Sequence, residues 1–217
     1  MKTIRSTRST RSSCRQVGFN LVEIVLALSI AVGVGAVSAP PLAGYLHRSK
    51  LQGASYEMSV LMRAARSIAI TRGSPVVVHM GSDGGELVAF ADLHGEDLAK
   101  SPDGLFNPID GRPQRMTDYE VGRVRIPNGV AFVDHDGNQG ADAVTGFNNP
   151  NPIPDKQAVF LEDGSIRSSG AFRIGDGRGN FLQIAAAPVA QARIDVQKWD
   201  GSYWLSRGQG GTSWKWK

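Results

Sequence analysis

Apolar and polar positions recur along this chain with two periods, helical and then extended, and one stretch before them is apolar throughout. From Phe19 to Ala39 nearly every residue is apolar or small, and Glu23 is the only charge. As a helix rising about 1.5 Å per residue, that stretch spans roughly 30 Å, the thickness of a bilayer's hydrocarbon core. Pro40-Pro41 follows, removes two backbone donors, and predicts a kink or an interruption. From Leu42 to Arg72 apolar residues return at helical spacing. Leu46, Leu51, Ala54, Met58, Leu61, Met62, Ala65, Ile68 and Ala69 form one stripe, the face expected to pack on a sheet. Gly73 and Pro75 end this helix.

Beyond Pro75 the period shortens to that of strands. Residues 75–80 and 86–91 read as a hairpin about Asp83-Gly84-Gly85. Two short strands, 121–126 and 130–133, are joined at Pro127-Asn128-Gly129. Further strands are expected at 158–161, 165–167, 171–174, 181–185 and 193–199, and Asp200-Gly201 turns the chain into a last one at 202–205. Polar stretches at 92–119 and 134–156 exceed simple turns and read as long loops. The expected fold is α+β, a long N-terminal helix packed on an antiparallel β-sheet head.

Charge changes the picture at one end. The formal charge of the 217 residues is +4, but Lys2, Arg5, Arg8, Arg11 and Arg15 precede Gly18 without an acid among them. Without those five charges the remainder stands at −1, so the basicity belongs to the N-terminal segment and not to a nucleic-acid-binding head. A basic flank before an apolar run holds that flank in the cytoplasm and sends the C-terminal domain across the membrane. Cys14 is the only cysteine, so the residues after it fold without a disulfide. A secretory signal cleaved after Ala39 is the competing reading. Against it, the run is longer than the usual ~7–15 apolar residues, Glu23 interrupts its start, and Pro40-Pro41 follows the cut. A carboxylate in the hydrocarbon core costs about 2.5–3.5 kcal/mol, so Glu23 calls for a cationic partner.

The string Gly18-Phe19-Asn20-Leu21-Val22-Glu23 closely resembles the processing signal of type IV prepilins and pseudopilins. The resemblance implies cleavage between Gly18 and Phe19 by prepilin peptidase, N-methylation of Phe19, and neutralisation of the new amine by Glu23 of a neighbouring subunit during assembly. Ala64-Ala65-Arg66-Ser67-Ile68-Ala69-Ile70-Thr71-Arg72-Gly73-Ser74-Pro75-Val76-Val77-Val78 resembles the helix-to-strand junction of the GspH/FimT group. Phe90-Ala91-Asp92-Leu93-His94-Gly95 and Val159-Phe160-Leu161-Glu162-Asp163-Gly164-Ser165 resemble two further signatures of that group. The implied organisation is pilin-like. It comprises a leader at 1–18, a transmembrane helix at 19–39, an amphipathic helix at 40–73, a periplasmic β-rich head at 74–205 and a basic tail at 206–217. The implied role is a minor pilin or pseudopilin of a type II secretion pseudopilus or a type IV pilus, held in the bacterial inner membrane. Its partners would be prepilin peptidase, other pilins and the membrane, with no cofactor.

Catalytic signatures are missing: there is no G-x-S-x-G, Walker A string or H-E-x-x-H, and His47, His79, His94 and His135 lack ligand spacing. The chain therefore reads as no enzyme. Gly175-Asp176-Gly177-Arg178-Gly179 precedes a strand rather than a helix and reads as a turn, not a phosphate nest. Asp134, Asp136, Asn138 and Asp142 alternate as oxygen ligands suited to Ca²⁺. The glycine at loop position six and the acid at position twelve of an EF-hand are absent, so a polar surface loop is favoured over calcium. In the tail, Trp214 and Trp216 offer rings that stack on bases, and Arg207, Lys215 and Lys217 offer cations for phosphates. The favoured reading is that the tryptophans fold back onto the sheet. Some FimT-like proteins bind DNA in natural transformation through basic C-terminal regions, so DNA uptake is the alternative function that the resemblance implies.

Overall fold

The computed structural model describes residues 20–81, 83–92, 118–149 and 154–207, with Trp214 and Trp216; the side chains of 37–43 lie outside that description. The expected leader 1–18 and most of the long loop at 92–119 also lie outside it. Helix α1 (Leu21–Arg72) opens on Asn20, whose carbonyl accepts from Glu23 N at 2.9 Å and whose side-chain oxygen accepts from Val22 N at 3.4 Å. Glu23 in the first turn complements the positive end of the helix dipole. The helix runs through Pro40-Pro41 without the interruption expected there. Proline's fixed φ is itself helical, so the pair removes donors while the backbone course continues. The chain divides into two compact units, 1–43 and 44–217, with the boundary just past the prolines. Among the described residues no helix is long and apolar enough to cross a membrane.

In the second unit, α1 buries Leu51, Ala54, Met58, Leu61, Met62, Ala65 and Ala69, while Ile68 is partly buried against them. Leu46 departs from the expected stripe and is exposed. At about 100° per residue it lies five steps before Leu51, roughly 140° away around the helix. Ser55 and Ser59 take places on the buried side instead. Their hydroxyls donate to the carbonyls of Gln52 and Tyr56, both at 2.8 Å, so burial leaves neither donor unpaired. Gly73, at φ +61°, ends the helix in the left-handed region that glycine adopts without strain.

Ten strands follow among the described residues: β1 (Val76–Met80), β2 (Glu86–Ala91), β3 (Tyr119–Arg125), β4 (Ala131–Phe132), β5 (Val144–Gly146), β6 (Ala158–Phe160), β7 (Gly170–Gly175), β8 (Phe181–Ala186), β9 (Ile194–Trp199) and β10 (Trp204–Ser206). They form two antiparallel sheets instead of one. The first has the order β3-β2-β1-β6; the second has β10-β9-β8-β7-β4, with β5 also on β7. Pro127-Asn128-Gly129 therefore carries the chain from one sheet to the other, because β3 pairs with β2 and β4 with β7. The stretch 165–167 makes one bridge, Phe160 to Ile166, rather than a strand. Within the expected loop 134–156, a 3-10 turn at Gly140–Ala143 and strand β5 bury Ala143, Val144 and Phe147. Strands of two or three residues show no alternation to read, and their place comes from pairing with β7.

One core joins the buried side of α1 to Val76, Val78, Leu87, Ala89 and Phe160 of the first sheet and Phe132, Phe172, Ile174, Leu182 and Ile184 of the second. These alternate along each strand with residues of the opposite face. On the first sheet that opposite face is buried too, at Val77, Phe90 and Val159.

Candidate functional site

At the N-terminal end, Gly18 and Phe19 lie outside the described residues. Glu23 is exposed on a helix surface that also exposes Leu21, Val22, Ile24, Val25, Leu26, Leu28, Ile30, Val32 and Val34. Ser29, the polar exception further along, donates to the Val25 carbonyl at 2.8 Å and needs no outside acceptor. Gly33 and Gly35 have no heavy atom within 4 Å of the place a Cβ would take.

The described parts of the three stretches that resemble GspH/FimT signatures meet in the first sheet; Leu93, His94 and Gly95 lie outside the described residues. β1 pairs with β2 at Val77 and Phe90 and with β6 at Val77 and Val159. From the helix, Arg66 Nε donates to the Gly164 carbonyl at 2.8 Å, tying α1 to the Asp163-Gly164 turn. That glycine has φ +81°, so the turn conformation disfavours a side chain, and a Cβ on it would stand 2.7 Å from Ile70 Cδ1, which would have to shift.

The predicted calcium ligands are divided between two ion pairs. Asp134 is 3% exposed; its carboxylate accepts from the Arg173 guanidinium, from the His135 ring Nδ1 and from the His135 backbone N at 2.6 Å. Burial pushes the Asp134 carboxyl up, but the two His135 bonds and the Arg173 charge together hold it below its ordinary value. Asp142 pairs with Lys156 Nζ at 2.7 Å, and this bond and charge hold its carboxyl low as well. Asn138 serves the turn through its backbone, accepting from Asp134 N at 2.8 Å. Asp136 is exposed and lies 3.4 Å from His135 Nε2. Among the described residues, Asp134, His135 and Asp136 each offer a ligand atom within 4.8 Å of the others, so this trio could hold a metal. Both oxygens of Asp134 already serve Arg173 and His135.

Sequence reasoning missed the surroundings of this corner. The His135 ring lies 3.9 Å from Trp199 and 5.8 Å from Trp204, and Arg173 sits 5.1 Å over Trp204. From Arg173 a polar row crosses the second sheet: its Nε donates to Gln183 at 3.2 Å, Gln183 donates to Gln197, and Gln197 donates to Ser206 at 3.3 Å. Ser206 in turn donates to Asp195. Outward positions on neighbouring strands carry these residues, a match visible only once the pairing of β7, β8, β9 and β10 is known. Beside the row lies an open groove of about 720 Å³ whose lining includes Ala185, Pro188, Arg193, Asp195 and Arg207.

Trp214 and Trp216 are half-buried and pack against the main core. Their rings meet edge to face at 6.2 Å. Arg48 and Lys198 lie 5.3 Å and 5.1 Å from the Trp216 ring, and Arg207 lies 6.0 Å from that of Trp214. Lys215 and Lys217 are outside the described residues.

No family model matches the sequence, and no curated protein does. Among solved structures, the chain is similar to the minor pseudopilin EpsH from the type 2 secretion system of Vibrio cholerae, at 11% identity and TM-score 0.41 over 69% of this chain and 97% of that one. It is also similar to the type IV minor pilin FimU of Pseudomonas aeruginosa, at 12% identity and TM-score 0.43 over 74% of this chain and 96% of that one.

Proposed function

We propose that this chain is a minor pilin or pseudopilin, a structural subunit of a type II secretion pseudopilus or a type IV pilus. The observation that carries the reading is the first part of α1, an apolar helix surface bearing one carboxylate. Leu21 is 75% exposed and Val32 71%, in a row of large side chains with no polar interruption except Glu23 and Ser29. Apolar area is worth about 25 cal/mol per Å² when removed from water, so a surface of this extent belongs in lipid or against other helices. Both environments suit a subunit that waits in the inner membrane through residues 19–39 and then enters a filament. Gly33 and Gly35 leave room for a neighbouring helix in either.

Glu23 needs a cation in such surroundings, and a mature chain starting at Phe19 supplies one as its own N-terminal amine. In this reading the chain performs no chemistry. Its Gly18–Phe19 bond is the substrate of prepilin peptidase, Phe19 is the methylation site, and the head stands in the periplasm. The alternative of DNA uptake through the tail draws less support, because Trp214 and Trp216 lie against the core with Arg48, Lys198 and Arg207 beside their rings.

Mass spectrometry of the N-terminal peptide, from cells with and without a prepilin peptidase, tests the reading. A peptidase-dependent peptide starting at methylated Phe19 supports it. A peptide starting at Pro40, or an uncut Met1, overturns it.

A further inference from the structure

We propose that the groove on the outward face of the second sheet binds an acidic polypeptide segment in extended form, gripped by Arg193 and Arg207 on either side of Asp195. Part of its lining comes from outward positions on three paired strands, where Ala185 stands opposite Asp195 and Gln197 opposite Ser206. A second part comes from the turn 187–193, in which Ala187 N donates to the Arg193 carbonyl at 3.0 Å and Ala192 N to that of Pro188 at 2.8 Å. Ala192 is fully buried at φ +42°, a strained setting for a residue with a Cβ, and its neighbours Gln191 and Arg193 stay exposed on the groove. Sheet pairing and a pinned turn thus fix the walls before any ligand arrives.

The charges decide the ligand. Arg193 and Arg207 are exposed, and among the described residues neither is in an ion pair. Arg207 has the Trp214 ring at 6.0 Å, a contact that takes up none of its N–H donors, so both guanidinium forks remain for carboxylates. One step past the pairing of Ser206 with Gln197, Arg207 falls level with Val196, which leaves Asp195 between the two arginines. Asp195 is fixed by neutral donors, Ser206 Oγ and Gln197 Nε2, the latter at 3.4 Å. A phosphate chain, charged at every repeat, would set an anion against Asp195. A polypeptide presents backbone N–H groups between its acidic side chains, and a carboxylate accepts from them. Ala185, Ala187 and Pro188 let such a backbone lie close, and no aromatic ring lines the groove to stack on a sugar. All these residues belong to the second unit, so the fate of the Gly18–Phe19 bond does not bear on the groove.

The test is fluorescence anisotropy with the full-length chain in uncharged detergent micelles, using a labelled peptide of alternating glutamate and threonine and a twin with glutamine in place of glutamate. The glutamate peptide binds at least about tenfold more tightly than its twin, as charge-assisted hydrogen bonds require. Arg193→Gln and Arg207→Gln each weaken its binding about tenfold, while Arg178→Gln, the same loss of charge at an exposed turn elsewhere, leaves it unchanged. Polyphosphate binds the wild type more weakly than the glutamate peptide and gains on it in Asp195→Asn. Equal affinity for the two peptides overturns the proposal. Equal weakening by all three arginine variants overturns it as well, since that marks a general attraction to a basic chain, and so does tighter binding of polyphosphate than of the glutamate peptide by the wild type.

Discussion

Glu23 and Asp134 show how one functional group, the carboxylate, takes opposite surroundings. Glu23 sits exposed on an apolar helix, and the role proposed for it rests on a partner from another subunit. We expect Glu23→Ala to leave cleavage after Gly18 intact and to impair filament incorporation; sheared filaments containing the variant at wild-type levels would count against that role. Asp134 has its partners within the chain. Arg173→Met leaves this buried carboxylate without its guanidinium and should cost about 3–5 kcal/mol in urea unfolding. The sign of the pH dependence follows from the depressed carboxyl. Its contribution is fully present above the ordinary value of 3.8 and is lost as pH falls through the lower folded value. Wild-type stability should therefore decline below about pH 4, and the decline should be shallower in Arg173→Met. Neither His135 nor Arg173 was legible as a partner of Asp134. His135 adjoins it in sequence without a motif, and Arg173 reaches it through the pairing of β4 with β7.

Helix α1 and the longer strands were legible because their residues repeat often enough to show a period. The limits of that legibility are specific. Leu46 has the hydrophobicity of a core residue and the wrong angle, so Met58→Ala should cost about 2–5 kcal/mol and Leu46→Ala under about 0.5 kcal/mol in the same urea titration. Equal losses would place Leu46 in the core after all. Pro40-Pro41 read as a kink or an interruption because proline lacks a donor, and of the two the interruption is absent, α1 being continuous through the pair. The turns at Asp83, Asp163 and Asp200 were legible for a local reason. Each aspartate accepts from a backbone N two residues on, at 2.9, 2.9 and 2.8 Å, with glycine between or beside them.

At the scale of the molecule, the chain is an exposed apolar helical segment in one compact unit and a two-sheet core built on the same helix in the other. With Asp134 and Asp142 each held by a cation, calcium should leave the melting temperature as it is in EGTA; a rise in calcium would show that the 134–142 loop gives up its ion pairs for the metal. The sequence alone determined the apolar segment, the place of its single acid, the helical stripe and the Asx-type turns, because each depends on residues within a few positions of one another. The tertiary structure decided the division into two sheets, the short strands β4 and β5, and the Arg173 row. It also decided the Asp134 corner and the contact of Trp216 with Lys198. These join positions from about ten to more than eighty residues apart, where neither period nor motif carries information, and where the favourable terms are pairing and burial that exist only once the chain has closed on itself.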